Sequence, residues 1–153
     1  MPGVSAPRLI IGIGNPSRGD DAVGPLAIEW LAEQALHGVD LLTDFQLQVE
    51  HALDLRDRSE VIFIDASLTG PAPFEFFRVD AAADQSISSH ALSPAALLHA
   101  YRQLFGAPPT ANILAIRGYQ FDLGKALQPM ASTNLEAAMA WLTAHLQGEP
   151  TTA

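Results

Sequence analysis

Residues 9–13 (LIIGI), 61–64 (VIFI) and 113–116 (ILAI) are short runs with no polar side chain, and they are rich in β-branched residues. A strand with one wet face alternates apolar and polar positions. A strand with no polar position is covered on both faces, as in a parallel sheet flanked by helices. Residues 39–42 predict a weaker fourth strand. Residues 74–79, introduced by Pro71 and Pro73, read as an edge strand that can run antiparallel.

Between these runs the apolar period changes to that of a helix. Val23, Leu26, Ala27, Trp30 and Leu31 form one stripe, with Glu29 and Glu33 opposite. Ser93-Pro94 is a start signal, because Pro suits the first helical turn, and Leu97, Leu98, Tyr101, Leu104 and Phe105 follow as its stripe. Thr133 and Glu136 have capping-box spacing ahead of Leu135, Ala138, Met139, Leu142 and Leu146. Residues 49–58 predict a further helix. Strands alternating with helices point to the α/β class: an open, mostly parallel twisted sheet of about five strands with helices on both faces, a three-layer sandwich. We expect residues 1–147 to form a single domain and residues 148–153 a frayed C-terminal tail.

Composition narrows the function classes. Apolar residues make up 48% of the 153 and charged residues 16%, the balance of a globular chain rather than a disordered one. No apolar run approaches the ~20 residues that span a bilayer, and the opening passes directly into a core strand without the form of an export signal. A cytoplasmic protein with no membrane partner is the expectation. The formal net charge of −9, with only 8 Lys and Arg, repels phosphate backbones, so nucleic acid is excluded as a partner. With no cysteine there is no thiol nucleophile and no thiolate metal site.

In an open parallel sheet, ligands bind beyond the carboxyl ends of the strands. The first strand runs there into the turn-rich loop 14–21 with its acid pair Asp20-Asp21, the central apolar run ends on Asp65, and a polar loop after the edge strand closes with His90. Two carboxylates and an imidazole suit Zn, Ni, Mn or Fe(II), and three protein donors leave coordination positions open for a substrate. Each residue also has an ordinary reading. Asp21 can cap the helix that follows, Asp65 can brace a turn, and a loop histidine is commonly solvated or hydrogen-bonded. A dinucleotide site would need Gly-x-Gly-x-x-Gly. Here Ser17 stands where the third glycine belongs, and only Asp40 or Asp44 could serve as the ribose acid.

The segment GIGNPSRGDDAVGP, residues 12–25, resembles the N-terminal signature of the hydrogenase maturation endopeptidases. VIFIDA (61–66) resembles that family's second acidic strand motif, and ISSHAL (87–92) its histidine segment. The strand near residue 113 and the last helix resemble its closing elements, so the likeness spans roughly residues 8–146. The resemblance implies an enzyme, an endopeptidase that removes the C-terminal extension of a nickel–iron hydrogenase large-subunit precursor after nickel insertion. It implies Asp21, Asp65 and His90 as metal ligands acting catalytically through the metal. Nickel would arrive with the substrate, and Zn or Cd could stand in for it in crystals. Asp20 is not carried over, so its substitution is expected to do less harm. Ala22 stands where the family often has Gly.

Residues 44–51 (DFQLQVEH) replace a Gly-rich turn common in the family. Gln46, Gln48 and Glu50 are therefore the expected substrate contacts, nearer to the proteases serving soluble NAD-reducing hydrogenases. Two alternatives stand beside this reading. One is a nickel-binding maturation chaperone without catalysis. The other is an esterase like bacterial peptidyl-tRNA hydrolase, whose opening GIGNP also resembles. That family's catalytic histidine has no counterpart here, where Gly19-Asp20-Asp21 occupies the ground.

Overall fold

A computed structural model describes residues 5–83 and 92–148. Chain order is β1 (Arg8–Ile13), a 3₁₀ turn (Gly19–Ala22), α1 (Val23–Ala32), β2 (Val39–Asp44), α2 (His51–Asp54), β3 (Glu60–Ser67), β4 (Phe74–Arg78), α3 (Pro94–Phe105), β5 (Thr110–Arg117) and α4 (Pro129–Gly148). The five strands form one sheet in the order β2-β1-β3-β5-β4, parallel except for the antiparallel edge strand β4. The three unbroken apolar runs are its three central strands. With no polar position to expose, they sit where helices cover both faces.

Each face has its own core. Ile10, Ile62, Ile64, Leu114 and Ile116 pack with α1 and α4, while Leu9, Ile11, Val61 and Phe63 pack with α2 and α3 on the other side. Alternate side chains of one strand thus feed opposite layers, as the period of a strand requires. Two glycines let α1 lie directly on β1. A Cβ on Gly12 would fall 2.4 Å from the Gly24 carbonyl oxygen, and one on Gly24 would fall 2.2 Å from that of Ile13. The helix seats Val23, Ala27, Ile28 and Leu31 in the core and leaves Trp30 at its margin.

Two helix boundaries differ from the sequence expectation. Instead of a helix over residues 49–58, only α2 forms. Its turn bonds run three residues back, from Ala52 N to Val49 O and Leu53 N to Glu50 O, and Asp57 adopts φ 65°, where a helix cannot continue. At the other end of the chain, α4 starts at Pro129, a turn before Thr133. Pro is pre-set for a first helical position, so Thr133 is interior and its Oγ1 donates to the Pro129 carbonyl at 3.1 Å. The Ser93 start is as expected: its Oγ accepts from Ala96 N at 3.1 Å, with Pro94 next.

Candidate active site

Along the strand order the connection from β1 leads to one side of the sheet and that from β3 to the other. The crevice between the carboxyl ends of β1 and β3 is therefore the topological switch point, where such sheets bind ligands. Asp21 enters it from the loop after β1. Asp65 lies within β3 rather than at its end, opposite Ala115 of β5, because the strand continues to Ser67.

Asp21 is not a helix cap. Its Oδ2 accepts from Asn15 N at 2.6 Å, and its backbone N–H closes a turn on Arg18 O at 3.1 Å. Gly14, at φ 149°, has the Asp21 carbonyl oxygen 2.0 Å from where a Cβ would stand. The glycines of Gly12-x-Gly14 thus serve close backbone approach, with no phosphate required to explain them. Ala22 sits at φ −71° and ψ −11°, ordinary helical values that need no glycine.

Asp65 is half-buried, and its Oδ1 accepts from Ala66 N at 2.8 Å. Loss of water pushes its carboxyl up to about 7; the Ala66 N–H opposes the shift, and the negative charge of Asp21 adds to it. The two carboxylates therefore feel each other across the crevice. Among the described residues, each keeps a second oxygen with no hydrogen bond. A carboxyl near 7 beside a second carboxylate can share a proton with it or take a cation in the proton's place.

His90 lies outside the described residues. No group of three His, Asp or Glu able to hold a metal occurs among the described residues, so a three-donor set would need a residue beyond them. Leu92, two positions after His90, donates its N–H to the Leu47 carbonyl at 3.1 Å.

That bond belongs to the segment expected to contact substrate. Gly14 N donates to Asp44 O at 3.0 Å, so the end of β2 abuts the Asp21 loop. Gln48 N donates to His51 Nδ1 at 2.8 Å, and His51 Nε2 stands 3.2 Å from Asp44 Oδ2. Leu47 is buried, while Gln48 and Glu50 are exposed and Gln46 is half-buried. Both ring nitrogens of His51 are thus used within the loop, a latch that spacing alone did not reveal. The ribose-acid candidates are engaged as well. Asp40 pairs with Arg58 and accepts from Ala6 N, which holds its carboxyl below the usual range, and Asp44 is held by Phe45 N and His51. A dinucleotide reading loses its last support.

Asp20, the acid not carried over, has surroundings of a different kind. It is fully buried and accepts from Tyr119 N, Gln120 N and Gln128 N at 2.6, 3.0 and 2.8 Å. Its partners lie about a hundred residues along the chain, which no local pattern could signal.

No family model matches the sequence, and no curated protein does. Solved structures do match. The nickel–iron hydrogenase maturation protease HycI from Thermococcus kodakarensis KOD1 superposes with a TM-score of 0.74 at 21% identity, over 95% of this chain and 96% of that one. The hydrogenase maturating endopeptidase HybD from E. coli gives 0.72 at 25% identity, over 90% of each. The chain has the fold of the hydrogenase maturation proteases. A hydrogenase 2 maturation peptidase from a Thaumarchaeota archaeon agrees, with a TM-score of 0.64 at 19% identity over 92% of this chain and 97% of that one. These neighbours are peptidases by name, and the maturation-protease fold with its paired carboxylates is consistent with a peptide hydrolase. Among the described residues no helix is long and apolar enough to cross a membrane.

Proposed function

We propose that this chain is an endopeptidase that removes the C-terminal extension of a nickel–iron hydrogenase large-subunit precursor once nickel has been inserted, acting in the cytoplasm. The observation that carries the reading is the pairing of Asp21 and Asp65 at the switch-point crevice of a maturation-protease fold, with Asp65 raised to about 7. The nickel is part of the substrate. Asp21, Asp65 and His90 offer it oxygen and nitrogen donors of the right kind, and Zn or Cd would occupy the same donors in its absence. A precursor without nickel offers these residues no handle and stays uncut.

The chain's own work is positional. Asn15 N orients one oxygen of Asp21 and Ala66 N one oxygen of Asp65. The second oxygen of each, without a hydrogen bond among the described residues, is the donor offered to whatever enters the crevice. A carboxyl poised near neutral pH can also accept or return a proton during peptide hydrolysis. Selection among precursors falls to Gln46, Gln48 and Glu50 on the adjoining rim. Their polarity favours a precursor of the soluble NAD-reducing kind.

Incubation of the purified protein with nickel-loaded and nickel-free precursor tests the reading. Cleavage of the loaded precursor alone is expected, and His90→Ala and Asp65→Asn should each abolish it while the protein stays folded. Nickel binding without any cleavage would make the protein a chaperone. Equal cutting of the nickel-free precursor would remove the metal from the mechanism.

A further inference from the structure

We propose that Asp20 is a positioning residue, setting how well the crevice holds a divalent cation without touching it. This rests on the reading of Asp21 and Asp65 as cation donors. Asp20 is a fully buried carboxylate that the proposed chemistry does not use. Among the described residues no Lys, Arg or His pairs with it. Its charge is instead met by three backbone N–H groups: those of Tyr119 and Gln120 on one oxygen, and that of Gln128, the residue before α4, on the other. The positive end of a 20-residue helix adds to this.

The backbone closes the same seam. Gly19 N donates to Lys125 O at 2.9 Å, Asp20 N to Gln120 O at 2.7 Å and Gly124 N to Ser17 O at 2.7 Å. The loop between β5 and α4 is thereby bound along the Asp21 loop. A Cβ on Gly19 would stand 2.3 Å from the Gln120 carbonyl oxygen, so the two backbones are in close contact.

Asp21 is the next residue in the same tight turn, closed by its own N–H on Arg18 O. One side of that turn is held through Asp20, and on the other the Asp21 carboxylate is held by Asn15 N, with the Gly14 backbone packed too close for a Cβ between them. With both sides held there is little slack between them. The direction of the Asp21 carboxylate therefore depends on where Asp20 is anchored. An amide at position 20 would set an N–H₂ group against one of the three donors and shift that anchor.

The test compares Asp20→Asn with Leu31→Ala, a core truncation on α1 that destabilises without touching the rim. A second variant, Gly118→Ala, keeps the carboxylate but crowds it, since its Cβ would stand 2.9 Å from Asp20 Cβ and 2.7 Å from Phe121 Cζ. Two quantities are read on the folded proteins: the affinity for Zn²⁺ alone, and the amide proton resonance of Asn15, which reports the bond to Asp21. We expect Asp20→Asn to weaken Zn²⁺ binding, by no more than the roughly 10- to 100-fold that loss of a direct outer-shell partner costs, and to move the Asn15 resonance. Gly118→Ala should act in the same direction, and Leu31→Ala should change neither quantity. Parent values for both in Asp20→Asn and Gly118→Ala would overturn the proposal and leave Asp20 a latch between loops. If Asp21→Asn and Asp65→Asn also bind Zn²⁺ like the parent, the cation reading itself fails. The Asn15 resonance then decides the positioning claim alone.

Discussion

Asp65 concentrates the competing demands on this molecule. Its carboxyl titrates at about 7 against an ordinary 3.8, because burial and the Asp21 charge both disfavour the ionised form. Between those values the folded protein holds a proton that the unfolded chain has released. The stability this confers is complete below the unfolded pKa and is lost as pH rises through 7. At ~1.4 kcal/mol per unit the full shift would be worth about 4 kcal/mol; for a half-buried group about half of that is realistic. We therefore expect the metal-free protein to be less stable at about pH 8 than at about pH 5, and Asp65→Asn to remove most of that difference, measured by urea unfolding. Equal stability of the parent at both pH values would mean that Asp65 ionises normally. The substitution that stabilises the resting protein is also the one expected to stop cleavage, a conflict typical of residues kept for function. Cation affinity should rise with pH through the same range, since a donor carboxylate must first lose its proton.

At the scale of elements, the contact between β1 and α1 governs whether the Asp21 loop forms at all. Gly12→Ala would drive a Cβ to 2.4 Å from a backbone oxygen and 2.5 Å from Ile28 Cγ1, and backbone cannot yield as a flexible side-chain end can. A loss of about 3 kcal/mol is expected from such overpacking, seen as a lowered urea midpoint with unchanged slope. A parent-like midpoint would show that helix and strand can part at little cost. The loop from β2 to α2 is a different kind of element, closed by the Asp44–His51 pair and pinned to Leu92 through Leu47. It thus joins the Asp21 loop to the chain just beyond His90. Replacing Gln46, Gln48 and Glu50 with Ala should weaken cleavage of the native precursor several-fold while leaving Zn²⁺ affinity intact. His51→Ala should disturb both, because it releases the latch rather than the exposed face. Normal cleavage by the triple variant would move substrate selection elsewhere on the rim.

At the scale of the whole molecule, much of the architecture could be read in one dimension, and the reasons are local. The runs LIIGI, VIFI and ILAI contain nothing polar, so they had to become the covered strands β1, β3 and β5. Pro71 and Pro73 consigned the next strand to an edge, and Ser93-Pro94 began a helix because side-chain capping and a fixed φ act within one turn. Asp21 and Asp65 were legible as candidates once the strand ends were known, since the binding rim of a parallel sheet follows from strand direction alone. What sequence could not decide depends on partners distant along the chain. Thr133 and Glu136 had the spacing of a cap, yet α4 begins at Pro129, whose preceding N–H is taken by a carboxylate 108 residues earlier. The neighbouring acids Asp20 and Asp21 are alike in type and position, and only folding separates them, one sealed under three amides and the other left facing the crevice. The raised pKa of Asp65 is likewise a tertiary property, created by lost water and by a charge that another loop delivers. Residue type and spacing determined which elements form and which side chains have the chemistry. The close approach of segments a hundred residues apart decided the surroundings of each carboxylate, because burial and hydrogen bonding act over a few ångströms in space, whatever the distance along the chain.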